Sequence, residues 1–439
     1  MSTRVDWISH PAGPLRGDVV VPGDKSISHR AIMLAALAEG ISHVSGFLEG
    51  EDTRATAAIF RAMGVAIETP SASQRIVHGV GLRGLAEPGA ALDCGNSGTG
   101  MRLLAGLLAG QRFDSTLIGD ESLTRRPMFR VTGPLSAMGA RIESGEGGRP
   151  PLHIRCASGL WGIRYTPPVA SAQVKSAILL AGLYADGDTE VHEPHPTRDY
   201  TERMLAAFGW PIAFEPGRAR LSGGHHLRAT DVVVPADFSS AAFFIVAATL
   251  VPDSRLLLRA VGLNPRRTGL LAALRLMGAD IREHDAREQG GERVADLEVR
   301  HARLRGIEVP VEVVPDMIDE FPILFVAAAA AQGTTTVRGA AELRVKESDR
   351  IAVMAKGLIE LGVRVEETPD GAVIHGGRLR GGVVDSAGDH RCAMSFAVAG
   401  LIAHDAVRIA DCANVATSFP GFVEITQSAG FLLNAVAPD

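Results

Sequence analysis

The chain has 439 residues, of which 46% are apolar and 21% charged, and its formal net charge is −6. That length is too great for one ordinary hydrophobic core and points to two large domains. The composition is that of a globular protein, and the negative charge excludes a general nucleic-acid binder, which needs a basic surface.

Any affinity for anions must therefore come from local clusters. The cysteines, Cys94, Cys156, Cys392 and Cys412, have no CxxC or metal-ligand spacing. They read as reduced, mostly buried residues of a cytosolic protein. Met1–Gly13 lacks the apolar stretch of a signal peptide. The longest apolar runs, Ala241–Val251 and Phe321–Ala331, reach about half a membrane span and read as buried helices. The chain ends, Met1–Ser9 and Ala435–Asp439, are expected to be exposed and to carry no chemistry.

In chain order, the first informative segment is Pro22-Gly23-Asp24-Lys25-Ser26-Ile27-Ser28-His29-Arg30. Pro-Gly ends a strand at Val19–Val21, and an Ala-rich helix follows to Glu39, closed by Gly40. Ser26 and Ser28 are expected at or near the helix N-cap. Free N–H groups in that first turn favour an anion. Lys25 and Arg30 add full charges, and Arg grips phosphate or carboxylate with two parallel hydrogen bonds. The segment is therefore a candidate phosphate site; a capped helix with two solvated cations is the alternative.

Asp93-Cys94-Gly95-Asn96-Ser97-Gly98-Thr99-Gly100 is glycine-rich and opens a helix. Its backbone N–H groups suit a carboxylate or phosphate, although a tight turn would use the same residues. Asp120–Met128 carries the adjacent Arg125 and Arg126 before a proline, one expected to reach a pocket and the other to be solvated. Ser171 reads as the cap of the next helix, with Gln173 facing a ligand and Lys175 on the helix face or in an ion pair. Thr197-Arg198-Asp199-Tyr200-Thr201-Glu202 reads as an N-capped helix start with one more arginine, or as a surface ion pair.

Asp316-Met317-Ile318-Asp319-Glu320 places three carboxylates before a buried helix. One held near a lysine suits a general base, with capping the alternative for at least one of the three. In Arg344-Val345-Lys346-Glu347-Ser348-Asp349-Arg350, a helix would put Lys346 and Arg350 on one face, with Glu347 three residues before Arg350. Asp389-His390-Arg391 repeats a His-Arg pairing at another helix start.

A recurring pattern organises these segments: a helix end, a glycine, then an alternating strand. The glycines are Gly64, Gly139, Gly209, Gly278, Gly362 and, more weakly, Gly430. They recur about every 70 residues. Each suits the left-handed position that ends a helix. Each unit also carries a second, strongly apolar helix, starting near Ser28, Thr99, Ser171, Ser239, Phe321 and Arg391, which should be buried. Three such units make one domain, and six make two similar domains.

Together, Pro22–Arg30, Gly95–Thr99, Arg344–Arg350 and Asp389–Arg391 resemble the motifs of the 5-enolpyruvylshikimate-3-phosphate (EPSP) synthase family, over residues 10 to 430. The resemblance implies an α/β fold, a two-domain inverted α/β barrel of six βαβαββ repeats, three per domain, that closes around substrate. The domains would be 1–23 plus 239–439, and the inserted 24–238, with crossings near Gly23–Lys25 and Ala236–Ser239. The implied enzyme is a 3-phosphoshikimate 1-carboxyvinyltransferase of the shikimate pathway to aromatic amino acids. It moves the enolpyruvyl group of phosphoenolpyruvate to the 5-hydroxyl of shikimate 3-phosphate and releases phosphate.

By the same resemblance, Lys25 contacts both substrates. Ser26, Arg30, Ser171, Gln173 and Arg198 hold shikimate 3-phosphate. Asn96, Gly98, Arg126, Arg350 and Arg391 surround phosphoenolpyruvate, with Gln173 shared. Asp319 is the base at the 5-hydroxyl, Lys346 orients that hydroxyl, and Glu347 handles the proton at the phosphoenolpyruvate methylene. No metal and no organic cofactor is implied, nor a nucleic-acid or membrane partner; a cytoplasmic monomer is expected. The family is the target of glyphosate. Ala172 and Thr417 stand where many members have Ser and Lys, which resembles the class II branch, whereas Gly98 stands where glyphosate-tolerant members commonly carry Ala. Two rivals remain: a UDP-N-acetylglucosamine enolpyruvyl transferase, which would have Lys-Asn at Lys25-Ser26 and a cysteine near Glu121–Pro127, and a non-catalytic anion-binding repeat scaffold.

Overall fold

The computed structural model describes residues 4–438. They form a mixed α/β fold in two compact units. One runs through Pro22, then over Pro235–Glu288, and onward from Arg293. The other comprises Gly23–Val234 with the short segment Gln289–Glu292.

The Gly23–Val234 unit is built on helices Lys25–Leu37, Gly98–Ala109 and Ala172–Gly182. They are apolar on most faces and therefore buried; every residue from Ala31 to Leu37 is at most 1% exposed. The second and third of these helices touch backbone to backbone. A Cβ on Gly106 would stand 2.1 Å from the Ala177 carbonyl oxygen, so only glycine permits the contact. Three larger sheets surround them, each with a parallel pair at one side and antiparallel strands beyond, and a fourth is only the parallel pair Leu160–Trp161 with Ala185–Asp186. In one, Ala38–Ser45 pairs parallel with Leu227–Arg228 and antiparallel with Gln74–Val80, which then pairs with Ala66–Ser71.

The other unit repeats this plan with buried helices Phe238–Leu250, Phe321–Ala330 and His390–Ile402. The two long apolar runs of the sequence are thus core helices. Among the described residues no helix is long and apolar enough to cross a membrane. The outer helices of both units end at the six glycines noted in the sequence, and all six take positive φ, from +81° to +101°. Each is followed by a strand, as at Gly278 before Asp280–Gln289.

The start of the chain departs from expectation. Met1–Thr3, like Asp439 at the other end, lies outside the described residues. Asp6–His10, however, is a strand between Val407–Ala410 and Leu432–Val436. Trp7 stacks on Phe422 with ring centroids 5.3 Å apart, and Ser9 is buried. A short strand becomes interior when its backbone groups complete a sheet on both sides. The cysteines are free; Cys94, Cys392 and Cys412 are buried and Cys156 is exposed.

Candidate active site

In the Gly23–Val234 unit the Lys25 helix is capped by Asp24, whose carboxylate accepts the Ile27 N–H. Ser26 and Ser28 do not cap it, because Asp24 already occupies that position; the Ser28 hydroxyl instead accepts the Leu48 N–H. Lys25 lies 3.0 Å from the Asp52 carboxylate. Arg30 is buried. Its Nε donates to Thr201 Oγ1 at 2.7 Å, Nη2 to Ser176 Oγ at 2.8 Å, and Nη1 to the Ser26 carbonyl at 2.9 Å. Three of its five N–H groups are thereby used, and two remain for a ligand. Among the described residues no carboxylate pairs with it directly. Burial and then the neighbouring Arg198 charge lower its pKa to about 10.

The glycine-rich segment folds as read. Ser97 caps the Gly98 helix and Gly95 takes a positive φ. Asn96 accepts from Arg126 Nη2 at 2.9 Å and donates to Asp120 at 2.7 Å. Arg125 sits in an exposed pair with Glu121, so of the two arginines Arg126 is the one turned to the loop. A Cβ on Gly98 would meet the guanidiniums of Arg102 and Arg126 at 3.1 and 3.2 Å. Gln173 reaches the same place: its Nε2 donates to Thr99 Oγ1 at 2.9 Å and its Oε1 accepts from Arg102 at 2.6 Å.

Ser171 caps its helix. Lys175 is buried between Glu193 and Glu202, at 2.8 and 2.7 Å, an ion pair rather than a ligand contact. The helix after Arg198 starts at Tyr200 without a side-chain cap. Thr197, expected there, bonds Glu193 instead, whose carboxylate also takes the Thr197 N–H.

The other unit gathers charge around Asp319. Its carboxylate is 3.4 Å from Arg267, 3.6 Å from Arg350 and 4.0 Å from Lys346. Arg350, almost fully buried, also pairs with Glu347 at 2.7 Å and Asp389 at 2.8 Å. Burial alone would lower the Arg350 pKa; the charges of Asp389, Glu347 and Asp319 override it and hold it above the usual arginine value. Arg391 lies 3.7 Å from Glu320. Burial pushes the Glu320 carboxyl up, against the pull of Arg267 and Arg391.

One local expectation fails here, and one alternative is not taken up. Lys346 and Arg350 do not share a helix face: a 3-10 turn covers Ala341–Val345, Lys346 lies in the bend after it, and the helix begins at Arg350 with Asp349 as its cap. Asp at such a position prefers capping to helix interior. No carboxylate of Asp316–Glu320 caps the Phe321 helix; they face arginines instead. Thr417 is turned to its own loop, donating to the Asn414 carbonyl at 2.7 Å.

Reading the sequence missed Asp52, Arg102, Thr201, Ser176 and Arg267. Arg267 had a usable signal, since Pro265-Arg266-Arg267 mirrors the paired arginines beside Pro127. The others are met only through contacts between distant segments. Among the described residues no group of three or more His, Cys, Asp or Glu side chains is arranged to hold a metal ion.

The family model described as EPSP synthase (3-phosphoshikimate 1-carboxyvinyltransferase) matches residues 9–426. A 3-phosphoshikimate 1-carboxyvinyltransferase of Xanthomonas oryzae pv. oryzae (strain PXO99A) is 68% identical over 429 residues, 98% of each chain. An EPSP synthase structure from Acinetobacter baumannii is 50% identical with a TM-score of 0.90, covering 98% of this chain and all of that one. The enolpyruvyl transferase NikO from Streptomyces tendae shares the fold, with a TM-score of 0.81 at 18% identity and full coverage of both chains. Matched along nearly all of its length by that model and by a relative at 68% identity, the chain belongs to the EPSP synthase family.

Proposed function

We propose that the protein transfers the enolpyruvyl group of phosphoenolpyruvate to the 5-hydroxyl of shikimate 3-phosphate and releases inorganic phosphate. It is a 3-phosphoshikimate 1-carboxyvinyltransferase acting in the shikimate pathway, and the near-full-length relation at 68% identity carries that reading. The finer architecture, an inverted α/β barrel of six βαβαββ repeats divided as 1–23 plus 239–439 and 24–238, is part of the proposal; the positive φ at six regularly spaced glycines supports it.

The roles follow from charge and reach. Both substrates are polyanions, so cations must neutralise them. Arg30, with two N–H groups to spare and no direct carboxylate partner, takes the phosphate of shikimate 3-phosphate together with Ser26, Ser171 and Arg198. Lys25 serves both substrates. Asn96, the backbone at Gly98, Arg126 and the shared Gln173 take phosphoenolpyruvate, as do Arg350 and Arg391. Asp319, faced by Arg267, Arg350 and Lys346, accepts the 5-hydroxyl proton while Lys346 orients that hydroxyl. Glu347 gives a proton to the methylene carbon on addition and takes one back from the resulting methyl on elimination, while the proton removed from the 5-hydroxyl leaves with inorganic phosphate.

Purified protein given phosphoenolpyruvate and shikimate 3-phosphate should release phosphate, and omission of either substrate should abolish release. UDP-N-acetylglucosamine should not replace shikimate 3-phosphate. Absence of release with both substrates present would defeat the proposal in favour of a non-catalytic anion-binding scaffold.

A further inference from the structure

His29 has no part in the roles above. It is fully buried on the Lys25 helix, and each of its ring nitrogens meets a different element. Nδ1 lies 2.8 Å from Thr56 Oγ1 on helix Glu51–Ala62. Nε2 lies 3.3 Å from the hydroxyl of Ser97, the cap of the Gly98 helix.

The direction of these bonds can be worked out. Ser97 Oγ accepts the Gly100 N–H at 2.9 Å, which leaves its own proton for His29. With that proton given to His29, Nε2 accepts and the imidazole proton sits on Nδ1, the neutral tautomer that also leaves the Thr56 hydroxyl free to donate to Asp52. Nδ1–H donates to Thr56, whose hydroxyl donates to the Asp52 carbonyl at 3.4 Å. Every donor finds an acceptor in one neutral tautomer. Burial, reinforced by the Lys25 and Arg30 charges, holds the His29 pKa down to about 3, so no third cation forms beside them. The chain of bonds ends at both functional places. Asp52 holds Lys25, and Ser97 lies between Asn96 and Gly98. A Cβ on Gly100 would stand 2.9 Å from Ser97 Oγ and 3.3 Å from Thr56 Oγ1, so the close approach depends on glycine.

We propose that His29 is a positioning residue: through Thr56 and Ser97 it sets the spacing between Lys25 and the Asn96–Gly98 loop, and so fits the loop to phosphoenolpyruvate. This rests on the assignment of that loop to phosphoenolpyruvate.

The test uses steady-state kinetics of the full chain with His29→Leu, Thr56→Val and His29→Gln, alongside 15N NMR of the histidine-labelled wild type. His29→Leu and Thr56→Val should raise KM for phosphoenolpyruvate about tenfold. KM for shikimate 3-phosphate should stay within about twofold, and His29→Gln, which keeps a donor and an acceptor, should recover part of the loss. The NMR should show one neutral imidazole protonated at Nδ1 throughout the range of about pH 5 to 8 in which an ordinary histidine titrates. Unchanged KM values, equal rises for both substrates that follow a fall in Tm, or an imidazole protonated at Nε2 would each overturn the proposal. Asn96→Ala separates the two levels. It should raise KM for phosphoenolpyruvate by itself; if it does not, the loop's assignment is what fails, and the proposal falls with it even where the tautomer is as stated.

Discussion

Arg30 and Arg350 are both buried arginines in the first turns of a helix, and their surroundings are opposite. Arg30 is met by two hydroxyls and a carbonyl. Arg350 is met by three carboxylates, Asp389, Glu347 and Asp319. The pKa of the first is lowered and that of the second raised. A buried cation without a direct counter-ion is costly, and an arriving phosphate relieves that cost. A buried cation already surrounded by carboxylates is neutralised before any ligand arrives, and its charge holds the Asp389 carboxyl below its usual range. The two arginines therefore differ in charge compensation, which is absent from the direct partners of Arg30 and complete around Arg350.

The largest expected effect tests the second half of that contrast. Asp319→Asn keeps the side-chain shape but cannot accept a proton, and kcat should fall by about 10²- to 10⁴-fold. Affinity for shikimate 3-phosphate, measured by calorimetry, should change little. Near-normal turnover would show that another group is the base.

Arg350→Met should be the most damaging to stability, because Asp389 would be left fully buried without its partner. A loss of about 3–5 kcal/mol in denaturant unfolding is expected. Arg30→Met should cost much less, since Thr201 and Ser176 remain bonded to each other at 2.7 Å. The same pair predicts a pH dependence. Burial pushes the Asp389 carboxyl up, but the Arg350 charge outweighs it, and the folded-state pKa lies below the unfolded one. The stabilisation is then present above the unfolded pKa, about 3.9, and is lost as pH falls through the folded value. Wild type should lose it under acid, and Arg350→Met should have none to lose. Equal acid sensitivity in the two proteins would contradict the pairing.

How far the sequence could be read follows from the range of each interaction. The junction glycines and buried helices were readable because a positive φ and an all-round apolar helix are local properties of Gly278 or Phe321–Ala330. Lys25, Arg30, Asn96 and Arg126 were readable as candidates because polar residues crowd the helix starts. Their partners were not. Thr201 reaches Arg30 and Arg267 reaches Asp319 across long stretches of chain, and no local pattern reports such a meeting. Trp7 looked like part of a loose end for the same reason, since its strand partners stand at the far end of the chain. Even a local choice can be close: Ser26 lies in the first turn, near the cap as expected, but Asp24, also a good cap, holds the cap itself.

The smallest expected effect concerns Gly98. The added methyl of Gly98→Ala meets only the ends of Arg102 and Arg126, which are flexible, so the fold should survive. Stability should change by less than about 1 kcal/mol, because alanine suits a first helical turn better than glycine does. The inhibition constant for glyphosate, which is longer than phosphoenolpyruvate, should rise more than KM for phosphoenolpyruvate. Equal constants in wild type and variant would show that Gly98 does not set inhibitor access.

The contrast between the two arginines is tested most directly by titrating shikimate 3-phosphate into Arg30→Met and Asp319→Asn by calorimetry. Arg30→Met should bind more weakly by about 1.5–3 kcal/mol, the value of a hydrogen bond to a charged group, while Asp319→Asn binds like wild type. Wild-type affinity in Arg30→Met, with binding lost in Asp319→Asn, would contradict the proposed roles of Arg30 as phosphate ligand and Asp319 as base.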